Sequence, residues 1–314
     1  MNAPAAAGPL LIPRDQLTAL NQLRDGPAWR RLTSHLLTVG AGGLVWGQHG
    51  WPLALRLAGL LVCGLGLATA FAGLHECCHR TAFRTRALND GAAWLLGLLS
   101  FYNATAYRRY HQWHHRYTHQ PGLDPELDDP VPTSLLAYLL EISGWHWWGG
   151  KLAGFARLLW GDLSAVPYFN PEVIPRVRRS AWLQVGVYLA LAAVSLIGAN
   201  GFLLWFWLLP LAVGQPFLRF VLLAEHSGCS FSSNGTTNTR TTLTTAPVRW
   251  LMWNMPFHAE HHLFASIPFH ALPAAHRHIA PQLAHLDPGY LAVHRRLLAN
   301  LPALALPGGG AQPA

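Results

Sequence analysis

The sequence predicts an all-α integral membrane protein: four transmembrane helices in two hairpins, with a cytoplasmic helical cap that carries three histidine clusters. Three observations predict it. Charged residues make up 11% of the chain and hydrophobic residues 51%, whereas an ordinary soluble domain is roughly 25% charged. The apolar residues fall into runs near the length a bilayer requires, joined by short turns. Histidine recurs at helical spacing in three places: His75 and His79; His111, His114 and His115; His258, His261 and His262.

Residues 1–13 are rich in Ala and Pro and are expected to be disordered. They lack a basic region followed by a long apolar core, so they do not read as a cleaved signal peptide. Arg14, Arg24, Arg30 and Arg31 follow, making 1–31 an N-terminal cytoplasmic segment. A membrane domain is expected over 32–285. Its first apolar run, 32–47, is short and Gly-rich and spans only if its flanks are recruited. After a His-Gly-Trp-Pro turn at 49–52, the run 53–74 is long enough to cross. His75 stands at its end.

Arg80, Arg84, Arg86, Arg108 and Arg109 surround a shorter apolar stretch at 91–102 and lead into 111–119. The positive-inside rule places this segment and the basic N-terminal region on the cytoplasmic side. The two assignments agree, as an even number of crossings requires. The next loop holds Asp124, Glu126, Asp128 and Asp129, read either as a solvated acidic loop or as the source of a carboxylate, Asp124 for instance, on a ligand histidine's free ring N–H. His119, one turn beyond His115, is ambiguous in the same way.

Residues 133–169 carry Trp145, Trp147, Trp148 and Trp160 and read as helices lying at the interface, where Trp is enriched. The runs 181–199 and 202–224, joined by Asn200 and Gly201, form the second hairpin. Arg219 near its end is placed to reach the interface. His226 sits at its exit as His75 does on the first, which makes it a ninth candidate ligand. A polar loop, the third cluster and an amphipathic segment follow, and 286–314 is a C-terminal segment with a disordered tail.

The net charge of +8 comes almost entirely from Arg, with Lys151 the sole lysine. Placed between apolar runs, it suits anionic headgroups or an acidic protein rather than nucleic acid. Cys63, Cys77, Cys78 and Cys229 form no CxxC pair, and Cys77 and Cys78 read as packing residues more readily than as thiolate ligands.

On a helix, His111, His114 and His115 share a face and are expected to converge on one point. One metal cannot use eight ligands, so two metal ions are expected, and imidazole suits iron, copper, zinc and nickel. His35, His49, His146, His270, His276, His278, His285 and His294 read as ordinary packing or surface histidines. A paired site at the ends of apolar helices points to non-haem di-iron that uses O2 to attack a C–H bond of an apolar substrate. A non-catalytic membrane metal-binding or transport protein is the rival class, and it requires polar residues within the spans. Asn254, four residues before His258, is placed to share its helical face, and Arg240 either meets a substrate headgroup or ties down its loop.

His75-x3-His79, His111-x2-His114-His115 and His258-x2-His261-His262 resemble the three histidine boxes of the membrane fatty acid desaturase superfamily, in order and in position relative to the hairpins. Glu-Cys-Cys-His-Arg-Thr-Ala-Phe, Asn-Thr-Arg-Thr-Thr and Trp-Asn-Met-Pro-Phe-His-Ala-Glu-His-His look like its bacterial acyl-desaturase branch. The resemblance implies two iron ions held by the eight histidines and His226, and O2-dependent desaturation of a lipid acyl chain. Hydroxylation or ketolation of a carotenoid or similar lipid is the neighbouring activity. Electrons would come from a ferredoxin or cytochrome b5-like donor with its reductase, since the chain carries neither a haem motif nor a nucleotide fingerprint. A bacterial inner membrane is the implied location.

Overall fold

The computed structural model describes residues 11–128 and 131–304. The expected disorder of 1–13 does not hold at its end, where Ile12 is buried against Phe257 and Leu272 in a small apolar cluster; residues 1–10, the Gly-rich tail and Asp129 of the acidic loop lie outside the described residues. The architecture is mostly helical: α1 Arg14–Leu20, α2 Asp25–Trp46, α3 Leu53–His79, α4 Arg86–Ser100, α5 Ala104–Tyr117, α6 Leu135–Ser143, α7 Trp145–Trp160, α8 Ile174–Ile197, α9 Leu209–His226, α10 Ala246–Leu251, α11 His258–Leu263, α12 Leu272–Ile279 and α13 Tyr290–Ala299. A wide π turn at Leu204–Leu208 extends α9 backwards into one rod. The all-α expectation needs one small amendment. Thr241–Thr242 pairs in parallel with Leu286–Asp287, a two-residue ladder that fastens the polar loop to the C-terminal segment.

Among the described residues three helices are long and apolar enough to cross a membrane: Leu53–His79, Ile174–Ile197 and Leu204–His226. Helix α2 is of similar length, but it opens on Asp25, Arg30 and Arg31 and contains Gly40, Gly42 and Gly43. Leu37, Leu44, Leu57, Leu61, Leu189, Val194, Leu196 and Ile197 are exposed, a belt of apolar side chains that water would not tolerate and lipid does. Helices α6 and α7 are short and are separated by Gly144 at φ +77°.

Close packing holds the hairpins together. A Cβ on Gly42 would lie 2.4 Å from the Cys63 nitrogen, one on Gly64 2.3 Å from the Pro210 carbonyl oxygen, and one on Gly214 2.0 Å from the Gly64 carbonyl oxygen. Between apolar helices, where burial gains little over lipid, such backbone approach supplies the dispersion contact that joins them. Leu67, Leu74, Leu96, Leu211 and Leu218 fill the core among α3, α4 and α9. The ends of α3 and α9, which carry His79 and His226, are thereby brought together.

Candidate metal centre

Helix α3 stops where its histidines stop. Arg80 caps it at φ 63°, a left-handed conformation that costs a non-glycine residue about 1–2 kcal/mol. The cap is held by two hydrogen bonds from Arg80 to Asp90, at 3.0 and 2.9 Å. Arg108 joins the same carboxylate at 2.5 Å. Helix α5 starts at Asn103, whose side-chain oxygen accepts from the Ala106 N–H at 3.0 Å while its amide donates to Gln184 at 3.0 Å. The cap therefore also sets the helix against α8.

The nine histidines singled out from the sequence sort into two groups. In the first, single ring nitrogens of His75, His79, His111, His115 and His261 all lie within 4.8 Å of one another. The Nε2 atoms of His111 and His115 are 3.0 Å apart, and those of His115 and His261 are 3.1 Å apart. In the second, His114, His226 and His262 meet the same limit, and His258 Nε2 lies 3.1 Å from Nε2 of both His226 and His262.

One expectation is corrected by this sorting. The cluster at 111–115 does not converge on one point: His111 and His115, one turn apart, enter the first group, and His114 is turned to the second. A 3.6-residue repeat rotates neighbouring positions by about 100°, so the odd residue of each HxxHH stretch faces away from its pair. The same division separates His261 from His258 and His262.

The donor set fits metal ions. Ligands at about 2.1 Å from one ion, subtending 90–110°, sit about 3.0–3.4 Å from each other, and the Nε2 pairs match that edge. His75 Nε2 and His79 Nε2 are buried with no hydrogen-bond partner, as expected of lone pairs kept for a cation. In the second group His258 Nδ1 is buried without a partner, and the outer nitrogens of the other three are occupied. His226 Nδ1 meets the Asn238 carbonyl oxygen at 3.1 Å, His262 Nδ1 meets the Thr118 hydroxyl at 3.1 Å, and His114 Nδ1 meets Asp124 Oδ1 at 2.8 Å. Each acceptor places the ring proton on Nδ1 and leaves the Nε2 lone pair facing inward.

Burial, and then the neighbouring imidazoles, push His111, His115, His258, His261 and His262 well below the usual histidine range, which keeps them neutral as ligation requires. At His114 burial acts in the same direction, but the Glu126 and Asp124 carboxylates outweigh it and raise the pKa.

Asp124 is not part of a solvated loop. It is 2% exposed, and besides His114 it accepts the backbone N–H of His119 at 2.6 Å and of Glu126 at 3.0 Å. Burial pushes its carboxyl up, and these partners more than reverse the shift. His119 belongs to neither group: at φ 59° its ring stacks on Phe231 and its Nδ1 meets the Ser230 carbonyl oxygen at 2.8 Å.

Asn254 does not share a helical face with His258. It lies in a left-handed turn at φ 60° before α11 begins, and its amide donates to the Phe269 carbonyl oxygen at 2.9 Å. Arg240 is buried, donating to Asp287 at 2.8 Å and to the backbone oxygens of Ala224 and Ser227, so it fastens the loop to the end of α9. Arg219 does not reach an interface: its Nη2 lies 3.2 Å from the Tyr102 hydroxyl and it lines an interior cavity. Cys77 and Cys78 are buried outside both groups.

Two glutamates were not singled out from the sequence. Glu260 is fully buried, with His276 on one carboxylate oxygen and Thr241 on the other, each at 2.5 Å. Glu76 accepts the Phe269 N–H at 3.1 Å. Both stand between paired histidines, and a carboxylate inside an otherwise apolar helix end requires a partner; that was the available signal.

A cavity of about 790 Å³ opens onto both groups through His75, His111, His114 and His258. Phe71, Tyr102 and Tyr107 wall its inner part, with Trp147, Lys151 and Phe155 of α7 further out. Lys151 Nζ stands 3.2 Å over the Tyr102 ring.

A family model described as fatty acid desaturase matches residues 21–294. A sphingolipid delta(4)-desaturase/C4-monooxygenase of Mus musculus is 30% identical over 271 residues, 76% of this chain and 74% of that protein. Dihydrorhizobitoxine desaturase of Bradyrhizobium elkanii is 29% identical over 267 residues, 77% of this chain and 70% of that protein. The sn-1 oleoyl-lipid 12-desaturase of Synechocystis is 26% identical over 246 residues, 68% of this chain and 65% of that protein.

Proposed function

The chain belongs to the fatty acid desaturase family and is a membrane oxidoreductase, and we propose that it introduces a C=C double bond into a lipid acyl chain at a di-iron centre. The observation that carries this reading is the sorting of nine imidazoles into two groups beside one cavity large enough for a lipid chain. Two irons held by His75, His79, His111, His115 and His261 on one side, and by His114, His226, His258 and His262 on the other, would supply O2 activation and hydrogen removal from an unactivated C–H bond. The protein's part is to hold the chain. Phe71, Tyr107 and Phe155 exclude water and offer apolar walls, while His75, His111, His114 and His258 border the stretch of cavity where the reacting carbons would lie.

The same reading takes α2 as the fourth crossing, with its charged first turns at the cytoplasmic surface, and places the histidine-bearing helix ends on that side. A ferredoxin or cytochrome b5-like carrier would dock on the arginines of that face. Arg84, Arg86 and Arg116 are exposed there, whereas Arg108 is engaged with Asp90 and the Cys78 carbonyl oxygen. Charge reversal at the three exposed residues should slow turnover with a physiological carrier and leave it unchanged with a small chemical reductant.

One relative's name includes a monooxygenase activity, so oxygen insertion is the second reading. Mass spectrometry of lipids from cells expressing the protein, beside a His261→Ala control, separates the two. New species two mass units lighter, absent from the control, are expected; species sixteen units heavier would replace desaturation by hydroxylation.

A further inference from the structure

Two carboxylates flank the four-histidine group on its cavity side. Glu225 Oε2 lies 3.5 Å from His258 Nε2, and Glu126 Oε2 lies 3.6 Å from His114 Nε2. Each approaches a nitrogen already assigned to the metal side: His114 has its Nδ1 on Asp124, and His258 has its Nε2 against those of His226 and His262. Both glutamates line the cavity, as His114 and His258 do. Among the described residues, the histidine–carboxylate contacts at the centre fall on His114 and His258, and none falls on the five-histidine group.

Glu225 is the more demanding of the two. Its side chain is only 9% exposed, and Oε1 is buried with no hydrogen-bond partner. Among the described residues no arginine or lysine lies within ion-pair distance of it, and its one such contact is the His258 imidazole. A buried carboxylate with no donor and no cation is strongly disfavoured, and a cation beside it removes the penalty. Its separation from His258 Nε2 is a tenth or so of an ångström beyond the roughly 3.0–3.4 Å between neighbouring ligand atoms on one ion. A small side-chain rotation brings it within that spacing.

We propose that Glu225 is a ligand of the second metal ion, which then takes four imidazoles and one carboxylate oxygen, with Glu126 beside it on the cavity edge. The two sites are chemically unequal: one is all nitrogen, the other mixed nitrogen and oxygen. An oxygen ligand is harder than imidazole and cancels one positive charge, so the second ion is the one better suited to a higher oxidation state. The inference rests on the metal reading above.

The full-length protein in detergent, loaded with iron-57, tests it through iron content and Mössbauer spectra of wild type, Glu225→Gln, Glu225→Ala and Glu225→Asp. The wild type is expected to show two unequal irons. The Gln and Ala variants should weaken one of them by at least the ~10–100-fold typical of losing a supporting group, so that content falls from about two to about one per chain, while Asp retains the second iron. Metal-free Glu225→Gln should melt at or above the wild-type temperature, because it replaces a buried carboxyl that has no hydrogen-bond partner on Oε1 with a neutral amide of the same shape. A structural role would lower it instead. Gln and Ala variants that bind two irons with wild-type affinity and unchanged spectra overturn the assignment of Glu225 alone. A wild type that binds no iron pair overturns the metal reading with it.

Discussion

His114 Nδ1 and Asp124 Oδ1 lie 2.8 Å apart, both buried, on residues ten positions apart in the chain. The contact fixes which nitrogen of His114 carries its proton and aims the other at the second group. Asp124→Ala should therefore weaken metal binding ~10–100-fold without removing a ligand. Asp124→Asn, which can still accept through its carbonyl oxygen, should lose less. Iron titration of the two purified variants checks the order, and equal losses would mean that orientation plays no part.

The division within the HxxHH stretches gives a second expectation. His261→Ala should deplete the five-histidine site and His262→Ala the four-histidine site, although the residues are adjacent. Both should abolish product formation, but their residual metal spectra should differ. Identical spectra would contradict the sorting.

Stability of the metal-free protein should depend on pH in a definite direction. His111, His115, His258, His261 and His262 have folded pKa values below the ordinary 6.5, so below that pH the unfolded chain binds protons the folded one refuses. Their contribution is complete above about pH 7 and is lost as pH falls below 6.5, at up to ~1.4 kcal/mol per unit for each group. His114, with its raised value, contributes the opposite sign. Melting temperatures measured in detergent from pH 8 to pH 5 should be flat and then fall, and metal should blunt the fall by mass action.

Gly64 and Gly214 set how closely α3 approaches α9. Gly214→Val puts methyl groups where the Gly64 carbonyl oxygen now lies, and an overpacked contact of this kind costs about 1–3 kcal/mol. The cost should appear as a lower melting temperature together with reduced iron content, because the helix ends carry His75, His79 and His226.

Arg240 and Asp287 form a buried pair at 2.8 Å. Arg240→Ala leaves the carboxylate with the more exposed Arg296, so the loss should be below the roughly 3–5 kcal/mol of a fully stranded charge. Arg240→Ala combined with Asp287→Asn should recover part of it, as a double-mutant cycle on thermal unfolding would read.

The sequence carried the long helices because the apolar runs 53–74, 181–199 and 202–224 are about as long as a bilayer requires and are bounded by turns or polar residues. It carried eight of the histidines because their spacing repeats, and His226 because it stands at the exit of a spanning run as His75 does. Their partition between two sites was not legible: all members of an HxxHH stretch look equivalent until a second helix shows which one it meets. Asp124 could be placed on a histidine or in water with equal ease, since its loop folds back over α5 by contacts, such as that to the His119 N–H, that have no periodicity. Arg240 was left between a headgroup and its own loop, and Asn254 was misplaced on the helical face of His258, for the same reason. Their partners, Asp287 and Phe269, are set by how the C-terminal segment packs rather than by local pattern.

His114 and His115 are neighbours in the chain and serve different groups, and so are His261 and His262. Two peptide units thus bridge the centre, each with its Cα atoms fixed about 3.8 Å apart. Helix tilt or lipid thickness can shift the whole assembly, but the span from one imidazole group to the other is tied to covalent geometry. The centre has a built-in ruler, and a bilayer that stretches or thins around it has little purchase on that length.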